Sequence, residues 1–412
     1  MGPTATTLDD GTTLHVPVHD VADPEVSIVI PALNEELTIG DFLDWCQAGL
    51  AEAGVSGEVL IVDSSTDRTA EIALEHGARV LRTPKRGLGR AYIDALPHIR
   101  GRYVVMGDAD CTYDFRRLAP FVEKLREGYE FVMGSRFRGS IEPGSMPALH
   151  RYLGTPFTTW ILNRLYSCKF SDIHCGMRGI TRDALERMEV RSQSWEYASE
   201  MVLKSVHMGL RTAEVPVSFL KDREGRLSHH KRSGWFSPFQ AAWINLRAMF
   251  VHGADFFAFK PGLALFAIGL LLTLPLSFGP VAIGSVTFSL FSMLVGVALS
   301  ILGLQSFYFG CLAQLFYDYS GEARHKWLRL FSYTRTVLAS FVGFVAGLGL
   351  MLPLLVTFVR EGYTLPLDIG LRNHLAVTGL LLVILSFTTF TFTLVLHAAA
   401  LHGQRNGRDR AL

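Results

Sequence analysis

The stretch EVSIVIPALNEE, residues 25–36, decides the fold of the amino-terminal half of the chain. It contains an almost uninterrupted apolar run, VSIVIP, and two acids follow this run closely. Runs of this kind, rich in Val and Ile, are typical of strands buried on both faces of a parallel sheet. Comparable runs recur further along the chain as EVLIVD, ARVLRT, RYVVMGD and EFVMGS.

Helix-like segments alternate with these apolar runs, and Gly77 and Gly128 supply expected stop signals. Alternation of this kind predicts an open α/β domain of Rossmann-like architecture with a mainly parallel sheet. The predicted helices cover residues 38–53, 67–75, 89–99 and 115–127.

Polar residues follow the apolar runs in PALNEE, DSSTDRT, DADCTYD and GSRF. Ligands of open α/β sheets bind beyond the carboxyl ends of the strands. Asp108 and Asp110 are two apart, so both point the same way if the backbone stays extended. Such a pair suits a Mg²⁺ ion that also binds phosphates. A solvated loop is the alternative for any isolated D-x-D, but the other acids at strand ends favour a site.

The segment PKRGLGRA, residues 84–91, places two glycines and three cations before a predicted helix. Amide groups at a helix start favour anions, so a phosphate cradle is one interpretation. A tight strand-to-helix turn is the other. The segment lacks the G-K-[ST] of a Walker loop.

The carboxyl-terminal half contains long uncharged windows at 261–317, 336–359 and 375–396. A membrane span needs about 20 apolar residues. The first window is long enough for two spans with a turn at Gly279-Pro280. We therefore predict a transmembrane domain, residues 261–402, with four spans at about 261–279, 284–309, 336–359 and 375–398.

Positive charge predicts the orientation of these spans. Four cations lie between spans two and three, and three arginines lie in the tail 403–412. The other two connections carry no such excess. We expect a multi-pass protein of the cell membrane whose termini and amino-terminal domain face the cytoplasm.

Residues 1–24 contain four Asp and no apolar core, so we expect a flexible tail and not a signal peptide. The five cysteines form no C-x-x-C pair and favour reduced thiols. A zinc site from His174, Cys175, His229 and His230 is conceivable, but its spacing fits no usual pattern. The net charge of +1 argues against a nucleic-acid binder.

The motifs VSIVIPALNEE, IVDSSTDRT, GLGRA, GDADCTYD and GSRF, in this order, resemble the family-2 glycosyltransferases with the GT-A fold. The segments MPALHRYLGTPFTTWILNRLY, SDIHCGMRG, WEYASEM and EVPVSF resemble the polyprenyl-phosphate branch, akin to dolichol-phosphate mannose and glucose synthases with added carboxyl-terminal spans. The resemblance covers roughly residues 25–250.

The resemblance implies a role for each matching position. Asp108 and Asp110 would bind a metal, Mg²⁺ or Mn²⁺, and Asp110 and Arg136 would take part in catalysis. Residues implied to bind the nucleotide sugar are Pro31, Ala32, Glu35, Asp63, Lys85, Asp108, Ala109 and Asp110. Residues implied to bind the lipid phosphate are Arg136, Arg151, Thr155 and Arg223. The segments VDSSTDRT and REGRLSH and the residue Thr112 depart from the usual family pattern.

The chemistry of the acceptor follows from residues that the chain lacks. A sugar hydroxyl acceptor needs a general base. The chain has neither the E-D pair nor the Q-x-x-R-W typical of synthases that elongate glycans. A phosphate monoester is largely anionic already, and arginine positions it by bidentate donation. We therefore expect an inverting transferase that moves a sugar from a UDP- or GDP-sugar to a polyprenyl phosphate.

Three other functions fit the residues less well. A transferase that elongates a lipid-linked glycan would need the missing base. A translocator of lipid-linked sugars would need ionisable residues within the spans, which contain almost none. A scaffold with a dead sugar-binding domain would have lost the D-x-D. The sugar, the prenyl length and the oligomeric state stay open.

The stretch DREGRLSHHKRSGW, residues 222–235, ends the predicted catalytic domain, 25–235. We assign Arg223 to the lipid phosphate and expect Lys231 and Arg232 to contact anionic lipid. Gly225 and Gly234 would let the loop open. Residues 236–260 suit an interfacial amphipathic helix, with a core helix of the catalytic domain as the alternative.

Overall fold

A computed structural model describes residues 4–8, 11–166, 168–223, 225–226, 255–316, 322–364 and 370–408. The chain divides into two compact units, Met1–Val251 and His252–Leu412. The predicted amphipathic helix 236–260 lies outside the described residues up to position 254, as do His229, His230, Lys231, Arg232 and Gly234.

The first unit contains a nine-stranded sheet in the order β1-β2-β5-β4-β3-β6-β8-β7-β9. Each of the five apolar runs of the sequence forms one of its strands. The strands are β1 Thr4–Thr7, β2 Thr13–Val16, β3 Val26–Ala32, β4 Gly57–Asp63, β5 Arg79–Arg82, β6 Tyr103–Met106, β7 Phe131–Ile141, β8 Arg178–Thr181 and β9 Thr212–Phe219.

The predicted α/β fold is confirmed, but the sheet is mixed and not mainly parallel. Four of its eight strand pairings are parallel, and the other four are antiparallel. The parallel block β5-β4-β3-β6 forms the centre. Strand β8 runs antiparallel between β6 and β7, so β7 regains the direction of β6. The carboxyl ends of β3, β4, β6 and β7 therefore share one edge.

Helices cover the sheet at the predicted places. Phe42 and Phe121, from two of these helices, are fully buried, as are Ile28, Val29 and Ile30 of the central strand. Burial on both faces explains why these strands are continuously apolar. The helices are α1 Ile39–Glu52, α2 Thr69–Glu75, α3 Leu88–Ala95, α4 Ala119–Arg126, α5 Thr155–Tyr166, α6 Arg182–Met188 and α7 Tyr197–His207.

The amino-terminal segment differs from the expected flexible tail. Strand β2 pairs antiparallel with β5, and β1 pairs with β2, so residues 4–7 and 13–16 extend the sheet. The strands are short and half-buried or exposed, and their sequences carry little apolar signal. Backbone pairing with the edge of β5, which no local pattern reveals, explains their order.

The second unit contains four helices that are long and apolar enough to cross a membrane. They cover Phe257–Leu276, Leu290–Phe316, Tyr333–Arg360 and Leu371–Leu401. The predicted second span began at 284, but Val281–Ile283 and Val286–Phe288 form a hairpin before the helix. The first span begins at Phe257 because a π-helical turn, Asp255–Phe259, leads into it.

Glycines bring the spans together in pairs. A Cβ added at Gly262 or Gly269 would lie 2.4 Å from a backbone nitrogen of the second span, and one at Gly379 would lie 2.5 Å from the Gly347 carbonyl oxygen. Helices in membranes pack through small residues because lipid supplies no hydrophobic drive between them. A short helix, Glu322–Leu330, connects the second and third spans and buries Trp327.

Candidate active site

The predicted acids at strand ends lie along one edge of the sheet. Ala32 of β3 pairs with Asp63, the last residue of β4, and Val29 pairs with Met106, the last residue of β6. Asp108 and Asp110 follow β6 directly. Parallel register therefore places the loops after these three strands side by side, as the sequence predicted.

Hydrogen bonds join the loops after β3 and β4 to each other. Asn34, in the left-handed conformation with φ +56°, accepts from the Thr66 amide at 2.9 Å. The backbone N–H of Asn34 donates to Ser65 Oγ at 2.7 Å, and the backbone N–H of Glu35 donates to Thr69 Oγ1 at 2.9 Å. These bonds hold the PALNEE and DSSTDRT loops in a single arrangement.

An arginine from the basic stretch lies among the acids at this edge. The Arg226 guanidinium donates to both oxygens of Glu35, at 2.7 and 2.8 Å. Its Nη1 lies 2.8 Å from Asp222 Oδ1 and 3.3 Å from Asp110 Oδ2. The side chains of Arg226 and Glu35 are buried. Glu35, which the resemblance assigned to the nucleotide, therefore has an arginine as its partner.

Arg223, the predicted phosphate ligand of this stretch, lies elsewhere. Its Nη1 donates to the Leu37 carbonyl at 2.7 Å and pairs with Asp41 on α1. The side chain is half exposed, at 52%. The structure therefore brings Arg226, and not Arg223, into contact with the acids of the strand ends.

The D-x-D loop is tightly constrained. Asp110 Oδ1 accepts from the Thr112 amide at 3.0 Å and from the Thr112 hydroxyl at 2.6 Å. Burial raises the pKa of Asp110, and the Arg226 charge and the Thr112 hydrogen bonds oppose this rise. Cys111 has φ +57°, a conformation that costs energy for a non-glycine residue and is common at functional sites. Ala109 is buried.

The residues at this loop fit a divalent cation. A Cβ added at Gly176 would lie 2.6 Å from Asp108 Oδ2, so the backbone there leaves room for this carboxylate. Among the described residues, no group of three or more His, Cys, Asp or Glu forms a metal cluster. A cation would thus have Asp108 and Asp110 as protein ligands, and donor phosphates and water would complete its shell, as Mg²⁺ commonly requires.

A cavity of about 250 Å³ lies beside Asp63. Burial raises the pKa of Asp63, and its Oδ2 atom lies 3.5 Å from Arg82 Nε without a hydrogen bond from the described residues. Predicted donor residues Asp63 and Lys85 both line this cavity, and Pro31 and Ala32 lie on the neighbouring strand β3. The cavity is lined by Gly11, Thr13, Asp63, Ser64, Ser65, Arg82, Thr83, Pro84 and Lys85.

Arg136 forms a buried ion pair on strand β7. Its Nε donates to Asp172 Oδ2 at 2.6 Å, and its Nη2 donates to Asp172 Oδ1 at 2.8 Å. Its guanidinium carbon lies 5.2 Å from the centre of the Phe219 ring. Both carboxylate oxygens of Asp172 are engaged, so this acid is a counter-ion of Arg136.

Helix α5 is hydrogen-bonded to the segment that contains Asp172. His174 Nε2 lies 2.9 Å from Thr158 Oγ1, and burial lowers the pKa of His174 to about 4. The His174 amide also donates to Asp172 Oδ1 at 3.3 Å. Thr155, which is buried, begins this helix, and Arg151 lies in the π-helical turn His150–Gly154 that precedes it. His174 therefore links α5 to the Arg136–Asp172 pair.

The glycines of the segment 84–91 distinguish a tight turn from a phosphate cradle. A Cβ at Gly87 would lie 2.2 Å from the Gln193 carbonyl oxygen, and one at Gly89 would lie 2.1 Å from that of Ser192. The Arg90 amide donates to the Gln193 carbonyl at 3.0 Å. The glycines thus permit close packing against residues 192–193, which favours the tight turn over the phosphate cradle.

The zinc alternative also loses support. His174 is bonded to Thr158, and Cys175 is buried, with a pKa that burial raises to about 12. The other two proposed ligands lie outside the described residues.

A cavity of about 770 Å³ lies at the opposite edge of the sheet. It is lined by Pro24, Ser56, Arg102, Glu130 and other residues that precede strands. The acids and arginines described above all lie at the carboxyl edge, where ligands of such sheets bind.

Sequence reasoning missed several residues of this edge. Arg226, Asp172 and Tyr113 were visible only as parts of longer motifs. Tyr113 accepts from the Gly176 amide at 2.8 Å and packs on Phe219. The acid in the motif SDIHCG was the available signal for the Arg136–Asp172 pair.

Comparison with known proteins identifies the family of the chain. Residues 27–188 match "Glycosyl transferase family 2", and residues 311–400 match "Glycosyltransferase family 2 C-terminal transmembrane region". The chain therefore belongs to glycosyltransferase family 2 and is a membrane glycosyltransferase.

Relatives from Haloferax volcanii are similar over different lengths. The low-salt glycan biosynthesis hexosyltransferase Agl6 is 39% identical over 300 residues, which cover 73% of this chain and 70% of the relative. A dolichyl-phosphate hexose transferase is 31% identical over 204 residues, which cover 49% of this chain and 85% of the relative.

Solved structures are also similar to the chain. A glucosyl-3-phosphoglycerate synthase from Mycobacterium tuberculosis, in complex with Mn²⁺, UDP and glucosyl-3-phosphoglycerate, is 20% identical with a TM-score of 0.43. The similarity covers 56% of this chain and 80% of that one.

Proposed function

We propose that this membrane glycosyltransferase moves a hexose from a nucleotide diphosphate sugar to the phosphate of a polyprenyl phosphate, with inversion at the anomeric carbon. One observation carries the proposal. The acids at the carboxyl edge share this edge with Arg136, whose carboxylate partner, Asp172, is bound on both oxygens. Such an edge suits two phosphorylated substrates and has no need of a general base.

The acid side is the proposed donor site. Asp63 and Lys85, which line the cavity beside β4, would hold the nucleoside there. Asp108 and Asp110 would hold Mg²⁺ or Mn²⁺. When bound, the cation neutralises charge that develops on the departing diphosphate.

Arg226 has a place in this step. Its guanidinium already pairs with Glu35 and approaches Asp110, so positive charge is present where the diphosphate would lie. Either Arg226 stays and neutralises a phosphate, or it moves aside when the cation binds. Both possibilities make Arg226, and not Arg223, the functional arginine of the basic stretch.

The arginine side is the proposed acceptor site. Arg136, Arg151 and Thr155 would orient the lipid phosphate for attack by one of its oxygens on the anomeric carbon. The bond from this carbon to the nucleotide diphosphate breaks as the new bond forms. A phosphate monoester is mostly anionic near pH 7, since its second pKa is about 6, so no proton needs to be removed. The relative named dolichyl-phosphate hexose transferase supports a lipid phosphate acceptor.

We also propose that the catalytic unit and both termini face the cytoplasm. Arg324, Lys326 and Arg329 lie on the helix Glu322–Leu330 that connects the second and third spans. Cytoplasmic connections carry an excess of Lys and Arg. Labelling single cysteines at the 281–288 hairpin and at the 322–330 helix in intact cells would test the orientation; labelling of the helix and not the hairpin would contradict it.

The decisive experiment identifies donor and acceptor together. The purified full chain, in lipid nanodiscs, is incubated with a panel of UDP- and GDP-sugars, Mg²⁺ or Mn²⁺, and polyprenyl phosphates. Mass spectrometry of the lipid should detect a prenyl phosphate that has gained one hexose. Transfer to the sugar of a lipid-linked glycan, with none to prenyl phosphate, would overturn the proposal.

A further inference from the structure

The amino-terminal hairpin, formed by β1 and β2, borders the proposed donor site. Strand β2 pairs antiparallel with β5, and Thr13 lies opposite Arg82, the last residue of β5. Because the two strands run in opposite directions, the first residues of β2 lie at the carboxyl end of β5. Asp63, the last residue of β4, pairs with Arg82 from the other side. The connection from β1 into β2 therefore lies at the edge of the sheet that carries the predicted donor residues.

The hairpin is held in place by its own hydrogen bonds and by the core. The backbone N–H of Leu8 donates to the Thr12 carbonyl at 2.9 Å, and that of Gly11 donates to the Leu8 carbonyl at 3.2 Å. Leu8 and Leu14 pack against the main hydrophobic core. Gly11 has φ +78°, a conformation that glycine adopts without strain. The hairpin thus presents a defined surface to the neighbouring loops.

Gly11 and Thr13 of the hairpin form one wall of the cavity of about 250 Å³ beside Asp63. We call this space the donor cavity. Its other walls come from the ends of β4 and β5 and the loops that follow them, residues 63–65 and 82–85. The donor cavity therefore spans the end of β5, with Thr13 on one side and Asp63 on the other.

The walls of the donor cavity suit a nucleoside. Asp63 accepts hydrogen bonds, Arg82 and Lys85 donate them, and hydroxyl groups can do either. The cavity is smaller than the range of about 300–1,000 Å³ that is typical of whole small-molecule sites, so it fits one part of the donor. In the proposed donor site the diphosphate lies with the cation at the D-x-D, which leaves the nucleoside for this cavity. The hydroxyl residues that line it are Thr13, Ser64, Ser65 and Thr83.

The hairpin is an addition to the residues that the family resemblance assigns to the donor. It lies before residue 27, where the match to glycosyltransferase family 2 begins. In the order of the sheet, β1 and β2 lie outside β5. A sheet that ended at β5 would lack the wall that contains Gly11 and Thr13.

We propose that the amino-terminal hairpin is part of the donor site and that Thr13 contacts the nucleoside of the donor nucleotide. This inference rests on the proposed function, because that function places the nucleoside in the donor cavity. The Thr13 hydroxyl would form a hydrogen bond with the base or the ribose, and the Gly11 backbone would close the cavity beside it. The alternative is a hairpin that only covers the edge of the sheet, as many edge strands are covered.

Nucleotide binding to the full chain in lipid nanodiscs tests the proposal without any acceptor. Thr13→Tyr should weaken the binding of UDP or GDP, whichever the native chain binds, by about tenfold or more, because a ring in the cavity overpacks the site. The matched control is Thr6→Tyr, at an exposed position of β1 outside the lining of the cavity. It should leave the affinity unchanged. Tyrosine is favoured in strands, so both variants should keep the native unfolding midpoint. Equal nucleotide affinity in the native chain and Thr13→Tyr would overturn the proposal.

Two further measurements separate a contact with the nucleoside from a structural role. Thr13→Val keeps the shape of the side chain but removes the hydroxyl, so it should weaken nucleotide binding about three- to tenfold. Pyrophosphate with Mg²⁺ should bind equally to the native chain and to both Thr13 variants, because it has no nucleoside. Equal losses of affinity for the nucleotide and for pyrophosphate would show a structural role and contradict the contact.

The same measurements distinguish this inference from the proposed function. A native chain that binds a nucleotide but transfers no hexose to polyprenyl phosphate would refute the proposed function, while the Thr13 variants would still decide the role of the hairpin. A native chain that transfers hexose, with Thr13 variants of unchanged nucleotide affinity, would refute the inference alone. A native chain that binds neither UDP nor GDP would refute both.

Discussion

The acid side and the arginine side of the site differ in where their counter-charges come from. On the acid side, Glu35 and Asp110 face Arg226, which lies in a loop after the last strand of the sheet. On the arginine side, Arg136 is part of strand β7, and its partner Asp172 lies in a segment bonded to α5 through His174.

This difference indicates which side of the site can change its ion-pair partners during turnover. An arginine on a loop can leave with the loop, whereas Arg136 lies on a strand of the sheet, and its backbone amide also donates to Asp172 at 3.1 Å. We therefore expect the acid side to exchange Arg226 for other cations during turnover. The Arg136–Asp172 pair should stay intact and present a fixed positive edge to the acceptor.

The largest expected effect concerns the acid side. Asp110→Ala should lower transfer by about 10³-fold or more, because a cation that neutralises the diphosphate is worth several kcal/mol. The thermal unfolding midpoint should change little. Initial rates of hexose transfer and thermal unfolding of the full chain measure both.

The matched control is Asp114→Asn in the same loop, whose native side chain pairs with Arg116. This variant should keep most of the native activity. Undiminished transfer by Asp110→Ala would refute the metal assignment.

The arginine side should respond in stability as well as in rate. Arg136→Ala and Asp172→Ala should each lower the free energy of unfolding by about 3–5 kcal/mol, because each leaves a buried charge without its partner. The double variant should lose less than the sum. Denaturant unfolding of the three variants gives the coupling energy.

Acceptor kinetics separate function from stability in this cycle. The KM for polyprenyl phosphate should rise in variants that lack Arg136, and donor affinity should be retained. A collapse of donor affinity in Arg136→Ala would show that its acceptor role is wrong.

Arg226 and Arg223 of the basic stretch should differ in their importance for transfer. Arg226→Ala should reduce transfer about 10- to 100-fold, since Glu35 then remains buried without the charge that neutralises it. Arg223→Ala should change the rate by less than about fivefold, because exposed ion pairs are worth about 0–1 kcal/mol. Parallel rate measurements on the two variants suffice; a larger loss for Arg223→Ala would reverse the assignment.

The smallest effect concerns pH. The unfolded chain binds a proton at His174 near pH 6.5, whereas burial lowers the pKa in the folded chain to about 4. The contribution of His174 to stability is therefore complete above pH 6.5 and is lost as the pH falls toward 4. It amounts to at most about 3 kcal/mol.

His174→Gln isolates this contribution from that of other groups. Glutamine does not titrate and can still bond to Thr158. The unfolding midpoint of the variant should fall less on acidification from pH 7 to about 4.5 than that of the native chain. Parallel pH profiles would show that His174 titrates normally.

Particular residues show how far the sequence reached. Asp63, Asp108 and Asp110 were predicted to lie together because parallel strands end at a common edge, and the register confirms it. Arg226 was not predicted, since its partner Glu35 lies 191 residues away in the chain. Local motifs carry no information on which of two nearby arginines turns inward.

Short strands with few apolar residues also could not be predicted from the sequence. Residues 13–16 contain only two apolar side chains, Leu14 and Val16, so the sequence predicted a flexible tail there. Their order comes from backbone pairing with β5, and this pairing depends on where the edge of the sheet lies. Strand β8, with the sequence RGIT, was missed for a similar reason, because Ile180 is its only large apolar side chain.

The sequence by itself determined the α/β class, the family, the four apolar helices and the edge of the sheet where the acids gather. Apolar periodicity and motif order are local, and burial follows from them directly. Only the tertiary structure decided that Arg226 faces the acids, that Asp172 holds Arg136, and that residues 149–160 turn five apolar side chains outward. These arrangements depend on contacts between distant segments, which form only when the chain is folded.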